Sequence, residues 1–107
     1  MSNFDEFAEP RAQLLNNLTA SIGEVEVVPF SELCLADKRA GEIMFMAGIT
    51  AIDEKFRPIP GENNGRLDSL PVGKESVCYW VFPEGKVFKI AITRMADGMG
   101  KTIISYP

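Results

Sequence analysis

Residues 77–107 read VCYWVF, PEG, KVFKIAITR, MADGMG and KTIISYP, and this stretch decides the fold class. Runs of strand length, rich in β-branched and aromatic residues, alternate with the Pro, Gly and Asp that hairpin turns require. They predict a three-stranded antiparallel meander. If Pro83, Glu84 and Gly85 form a type I turn with Gly85 as the left-handed residue, Phe82 pairs with Lys86, Trp80 with Phe88 and Cys78 with Ile90. One face then collects Cys78, Trp80, Phe82, Phe88, Ile90 and Ile92, which is core. The other collects Val77, Tyr79, Val81, Val87, Lys89 and Ala91, a small apolar surface whose Tyr79 and Lys89 suit an interface. Helices from the N-terminal half covering this second face is the competing reading. A two-residue turn would shift the register by one and exchange partners between faces.

The second turn contains GMGKT, Gly98 to Thr102, which ends like a phosphate-binding loop. That motif needs a glycine five positions before its second glycine, where Met95 stands, and a following helix whose N–H groups meet the phosphates. Only a β-branched segment ending in Pro107 follows, so GMGKT reads as turn chemistry, with Gly98 and Gly100 supplying backbone freedom.

Upstream, residues 54–76 hold Pro58, Pro60, Gly61, Gly65, Pro71 and Gly73 around the polar string GENNGR. Connections of this length in a small domain usually carry a function, and the plainer alternative is that Phe56, Ile59, Leu67, Leu70 and Val72 pin the segment across a sheet face. Arg57, Glu62, Asn63, Asn64, Arg66 and Asp68 are its candidate binding residues, joined by Tyr79 and Lys89 of the meander. Residues 42–53, EIMFMAGITAID, are apolar almost throughout and predict a central strand covered on both faces, with Gly48 marking a bulge. Before them, Ser31 is a candidate cap for a short helix over 32–40 ending at Gly41, a strand through Leu33 and Leu35 being the alternative. Residues 24–28, EVEVV before Pro29, suit a short edge strand. Phe4, Phe7, Leu14, Leu15, Leu18 and Ile22 recur at helical intervals. An amphipathic helix is expected from Glu9 or Pro10 to Gly23, with Pro10 in its first turn and Arg11, Gln13, Asn16 and Asn17 toward water.

At 107 residues, 46% hydrophobic and 24% charged, the chain is long enough for one core and is expected to form a single domain over 1–107. No apolar run approaches a membrane span, and the acidic opening MSNFDEFAEP lacks the basic region of a secretion signal, so a cytoplasmic protein is expected. The net charge is -4, distributed as -5 over residues 1–66 and +1 over 67–107, without the basic stripe that double-stranded nucleic acid normally demands. Cys34 and Cys78 stand far apart without CxxC spacing, and are expected to be reduced and buried. The chain has no histidine, which removes the usual general base, a common zinc ligand and every Ser-His or Cys-His nucleophile. Asp53 with Glu54, Glu62 with Asp68, and Glu24 with Glu26 are the available carboxylate pairs, and no spacing forces any of them into a shared site. Glu62, Asn63, Asn64 and Asp68 match calcium ligands in type alone, without the EF-hand pattern. No motif calls for a cofactor or a metal.

The expected architecture is α+β: an antiparallel sheet of four to five strands with an N-terminal amphipathic helix and a second short helix on one face. The expected function is that of a small acidic, non-enzymatic protein-binding module, a regulator, inhibitor or assembly subunit with a homodimer among its options. It would act through a sheet face or edge and the 54–76 segment. Two alternatives stand beside it. One is a small-ligand or nucleotide-signal binder, or minimal enzyme, with Arg57, Arg66 and Asp68 converging in a pocket under that segment. The other is a single-stranded nucleic-acid binder stacking bases on Tyr79 or Trp80 near Lys86, Lys89, Arg94 and Lys101.

Overall fold

Two turns of one kind join the last three strands. In the computed structural model, which describes residues 6–59 and 67–107, the Phe82 amide donates to the Lys86 carbonyl at 2.8 Å and the Gly85 amide to the Phe82 carbonyl at 2.9 Å. Residues 95–99 repeat the pattern: the Met95 amide donates to the Met99 carbonyl at 2.8 Å, and the Gly98 amide to the Met95 carbonyl at 3.3 Å. Gly85 and Gly98 lie at φ 97° and 83°, the left-handed position this turn reserves for glycine. The resulting register sets Trp80 opposite Phe88 and Cys78 opposite Ile90, as a three-residue PEG turn requires.

The strands are β1 (Val25–Pro29), β2 (Thr50–Asp53), β3 (Glu75–Val81), β4 (Val87–Arg94) and β5 (Met99–Ser105). They form one antiparallel sheet in the order β1-β5-β4-β3-β2. With α1 (Ala8–Ala20) and α2 (Phe30–Ala47) the chain is an α+β fold. β1 is the expected edge strand, and Pro29, with no N–H to donate, closes it.

The region between the edges overturns the reading of residues 42–53 as a central strand and of 32–40 as a short helix. α2 runs unbroken from Phe30 to Ala47, with Ser31 inside its first turn rather than capping it, and Gly48 ends it in the left-handed conformation at φ 75° instead of forming a bulge. The buried residues Phe30, Leu33, Cys34, Met44 and Ala47 keep one helical stripe through Gly41. An interior glycine costs about 1 kcal/mol, less than the roughly 1.5–3 kcal/mol that burying Met44 contributes. The longer helix also suits the strand order. β1 and β2 lie at opposite edges, about 19 Å apart for five strands at the usual spacing. The expected nine-residue helix reaches about 14 Å, whereas eighteen residues reach about 27 Å. Most of the β-branched residues of 42–53, namely Ile49, Thr50 and Ile52, follow Gly48, and the strand they form is an outer one of only four residues.

Alternation within the strands puts Cys78, Trp80, Phe88, Ile90 and Ile92 on the helix side, all buried, while their sequence neighbours are half-buried or exposed. Phe82 and Phe88 meet edge-to-face at 5.6 Å and 72° in the middle of this core. Gly100 is also on this side. A Cβ there would lie 2.3 Å from Leu33 Cδ1 and 3.1 Å from Phe30 Cδ1. Its role is thus to let α2 approach β5, and backbone freedom belongs to Gly98 alone of the two.

α1 begins at Ala8 and ends at Ala20, three residues short of Gly23, and the chain then joins β5 through a parallel bridge between Ile22 and Ile104. Pro10 sits in the first turn. Leu14, Leu15, Leu18 and Ile22 pack against the core, and Gln13, Asn16 and Asn17 are exposed as expected. Arg11 departs from expectation: its Nη1 donates to the Ala47 carbonyl at 2.9 Å, satisfying a C-terminal carbonyl of α2. Phe4 lies outside the described residues.

Candidate functional site

The side of the sheet away from the helices is built by the alternate residues of all five strands. Val25 stands opposite Ile103, Ile103 opposite Ala91, and Ala91 opposite Val77, so one apolar row crosses four strands. Beside it runs the row Ser105, Lys89, Tyr79 and Ile52. On the other side run Val27, Lys101, Thr93 and Glu75. Val81 and Val87 close one end. Neither helix covers this face: Val25 is 59% and Val27 46% exposed, and the inner-strand residues on it are half-buried. Tyr79 and Lys89 therefore lie together on an apolar face that neither helix covers among the described residues, and the competing reading, in which helices cover it, is corrected.

The chain after β2 adds an aromatic to this face. The Asp53 carboxylate accepts from the amides of Lys55 and Arg57, each at 2.9 Å, and from Arg57 Nε at 3.1 Å, closing a turn in which the Asp53 amide also donates to the Arg57 carbonyl. These donors, the Arg57 amide foremost, hold the Asp53 carboxyl below the usual carboxylate range. The turn places Phe56 at φ 60° with its ring stacked on Tyr79 at 5.6 Å and 14°. Phe56 remains 74% exposed. Pro58 then bridges Ile52, and the Ile59 amide donates to the Ala51 carbonyl at 2.8 Å, so the edge of β2 is partly covered.

Of the residues expected to form a site, Tyr79 and Lys89 fall on this face, Arg57 lies beyond the end of β2 with its guanidinium on Asp53, and Asp68 falls on the helix side. Glu62, Asn63, Asn64 and Arg66 lie outside the described residues. Leu67 is buried in the core, with Ile59 and Leu70 packed against it, whereas Phe56 and Val72 are exposed. The expected convergence of Arg57 with Asp68 is not found. Arg57 is engaged by Asp53, and Asp68 pairs with Lys38 of α2 at 3.2 Å.

Asp68 instead borders an open depression of about 510 Å³ between α2 and the Leu67–Leu70 turn, lined also by Phe30, Cys34, Lys38 and Arg94. Its charged groups are engaged by neighbours. Arg94 Nη1 donates to the Leu70 carbonyl at 3.0 Å, and its guanidinium lies 4.8 Å from the Phe30 ring centroid. Burial, then a hydrogen bond to Asp68 and its negative charge, push the Cys34 thiol up to about 11, so it is protonated and a poor nucleophile near neutral pH. That hydrogen bond, then the one from Lys38, holds the Asp68 carboxyl below its ordinary range. The other thiol, Cys78, is buried and in no disulfide. Trp80 is buried on the helix side, which corrects its assignment as an exposed stacking residue. Among the described residues, no cluster of three or more Cys, Asp or Glu could hold a metal ion, and no helix is long and apolar enough to cross a membrane.

Val25, Val27, Ile52 and Ile103 join the face without having been assigned to it in the sequence, whereas Phe56 stands there as one of the residues expected to pin the 54–76 segment across a sheet face. The alternation of Val25 and Val27 was a visible signal, but only the placement of β1 beside β5 shows which face they serve. In comparison with known proteins, no family model, no curated protein and no solved structure matches this chain.

Proposed function

We propose that this chain is a non-enzymatic protein-binding module, of regulatory, inhibitory or assembly type and acting in the cytoplasm, whose docking surface is the uncovered sheet face. The supporting observation is the row Val25, Ile103, Ala91 and Val77, continued by Tyr79 and the exposed ring of Phe56 on a face that no helix covers. An apolar centre with aromatic residues and a rim of Lys89, Lys101, Glu75 and Arg57 is the composition of a protein interface. Its five strands, four to eight residues long, give a plan area on the order of 500 Å². Side-chain relief raises the accessible area toward the roughly 800 Å² per partner of a standard interface.

Affinity capture with the intact chain tests this reading, comparing Ala91→Glu in the centre of the face with Leu35→Glu on the exposed side of α2. Both variants are first checked for unchanged circular dichroism and melting. The expected result is a specific protein partner retained by Leu35→Glu and lost by Ala91→Glu. Capture that survives Ala91→Glu refutes the assignment. A salt-sensitive gel shift with single-stranded RNA or DNA, abolished by Tyr79→Ala, would instead make nucleic acid the ligand of the same face.

A further inference from the structure

We propose that the occupant of the open sheet face is a second copy of this chain, packed sheet on sheet about a two-fold axis that crosses the strands at Ala91; the inference rests on the face being a protein-binding surface. An isologous interface must be complementary to itself, and two simple axes can be compared. An axis along β4, the central strand, would lay Lys101 over Glu75 of the second copy but would set Lys89 against Lys89 at its centre, a like-charge contact between sheets about 10 Å apart. An axis across the strands through Ala91 removes that conflict. It lays the row Val25, Ile103, Ala91 and Val77 on its own counterpart, forming a continuous apolar centre. The residue two positions before Ala91 then faces the residue two positions after it, so Lys89 lies over Thr93 of the second copy. Glu75 is the neighbour of Thr93 on β3, one strand spacing to the side. On β3 itself, Tyr79 lies over Glu75 of the second copy. Each Glu75 thus meets one ammonium and one phenol from the other copy, and the arrangement occurs twice by symmetry. Lys101 faces Ser105, a neutral partner.

The charge of the chain agrees with this choice. The protein carries -4 overall, whereas the face carries Lys89 and Lys101 against Glu75, so the contact does not bring the excess negative charge of the two copies together. The apolar row, the flanking valines and the Phe56–Tyr79 stack supply the buried area.

Sedimentation velocity and light scattering on the intact chain over a micromolar concentration series test the proposal. A species of twice the 11.8 kDa chain mass is expected, and Ala91→Glu is expected to abolish it. Glu75→Lys and Lys89→Glu, both on the sheet surface, are each expected to weaken dimerisation about tenfold, and the double variant is expected to recover most of the loss, since it restores opposite charges. A wild-type monomer throughout the series, a dimer indifferent to Ala91→Glu, or a charge exchange that fails to restore affinity overturns the proposal. A monomer that still captures another protein in an Ala91-dependent manner overturns the second copy as occupant while leaving the protein-binding reading standing. Loss of both sinks both.

Discussion

Replacing Gly100 with alanine tests the packing of α2 on β5. The new methyl would lie 2.3 Å from Leu33 Cδ1 and 3.1 Å from Phe30 Cδ1, and both side chains are buried, at 8% and 6% exposure. Overpacking of this kind costs about 1–3 kcal/mol, offset in part by about 0.4–1 kcal/mol from a less flexible unfolded chain, for a net loss of about 1–2 kcal/mol. The melting temperature should fall by about 5–15 °C at the usual sensitivity of a domain near this size. Urea unfolding followed by Trp80 fluorescence measures the free energy, with an unchanged m-value showing that the comparison is sound. A double-mutant cycle identifies the cause. Leu33→Ala alone should cost about 2–5 kcal/mol, but in its presence Gly100→Ala should become neutral or favourable, because the methyl enters vacated space. Additive losses would refute the reasoning, as would a Gly100→Ala variant within about 0.5 kcal/mol of wild type. Either result would mean that α2 does not rest on β5 at this point.

The Cys34 thiol, raised to about 11, should react with alkylating reagents far more slowly than an unfolded-chain thiol at pH 8. Because its folded value is raised, the linked stability is present below the ordinary thiol range and is lost as pH rises through about 11, a decline that Cys34→Ala should flatten in a stability-against-pH series. Asp53 behaves with the opposite sign: its carboxyl is held low, so the 53–57 turn is supported above the ordinary carboxylate range and loosens as pH falls through the depressed value. Asp53→Ala should speed hydrogen exchange at the Lys55 and Arg57 amides at neutral pH, and unchanged protection there would contradict the turn.

The meander, the edge character of residues 24–28 and the division of each strand's side chains into two faces were legible in residue order, while the PEG register was one of two left open until the structure chose it. Hairpin turns and strand alternation are local, and each turn specifies which side chains stand opposite one another. The candidate site was half legible for the same reason. Tyr79 and Lys89 belong to one strand pair and were found together, whereas Arg57 and Asp68, eleven residues apart, are engaged separately, Arg57 by Asp53 and Asp68 by Lys38.

Local sequence was insufficient where one segment could satisfy either period. Residues 42–47 are apolar enough for a strand, and Gly41 looks like a helix end. They are helical because continuing α2 to Ala47 keeps Met44 and Ala47 on its buried stripe, while the chain crosses between β1 and β2 at opposite edges of the sheet. The strand order also brings Val25 and Ile103, 78 residues apart, into one apolar row with Ala91 and Val77. Residue order thus defined the two faces of the meander, since that follows from turn chemistry and a two-residue period. Which face α2 covers, and how far the other extends, was decided only when long-range packing set Leu33 against Gly100 and β1 against β5.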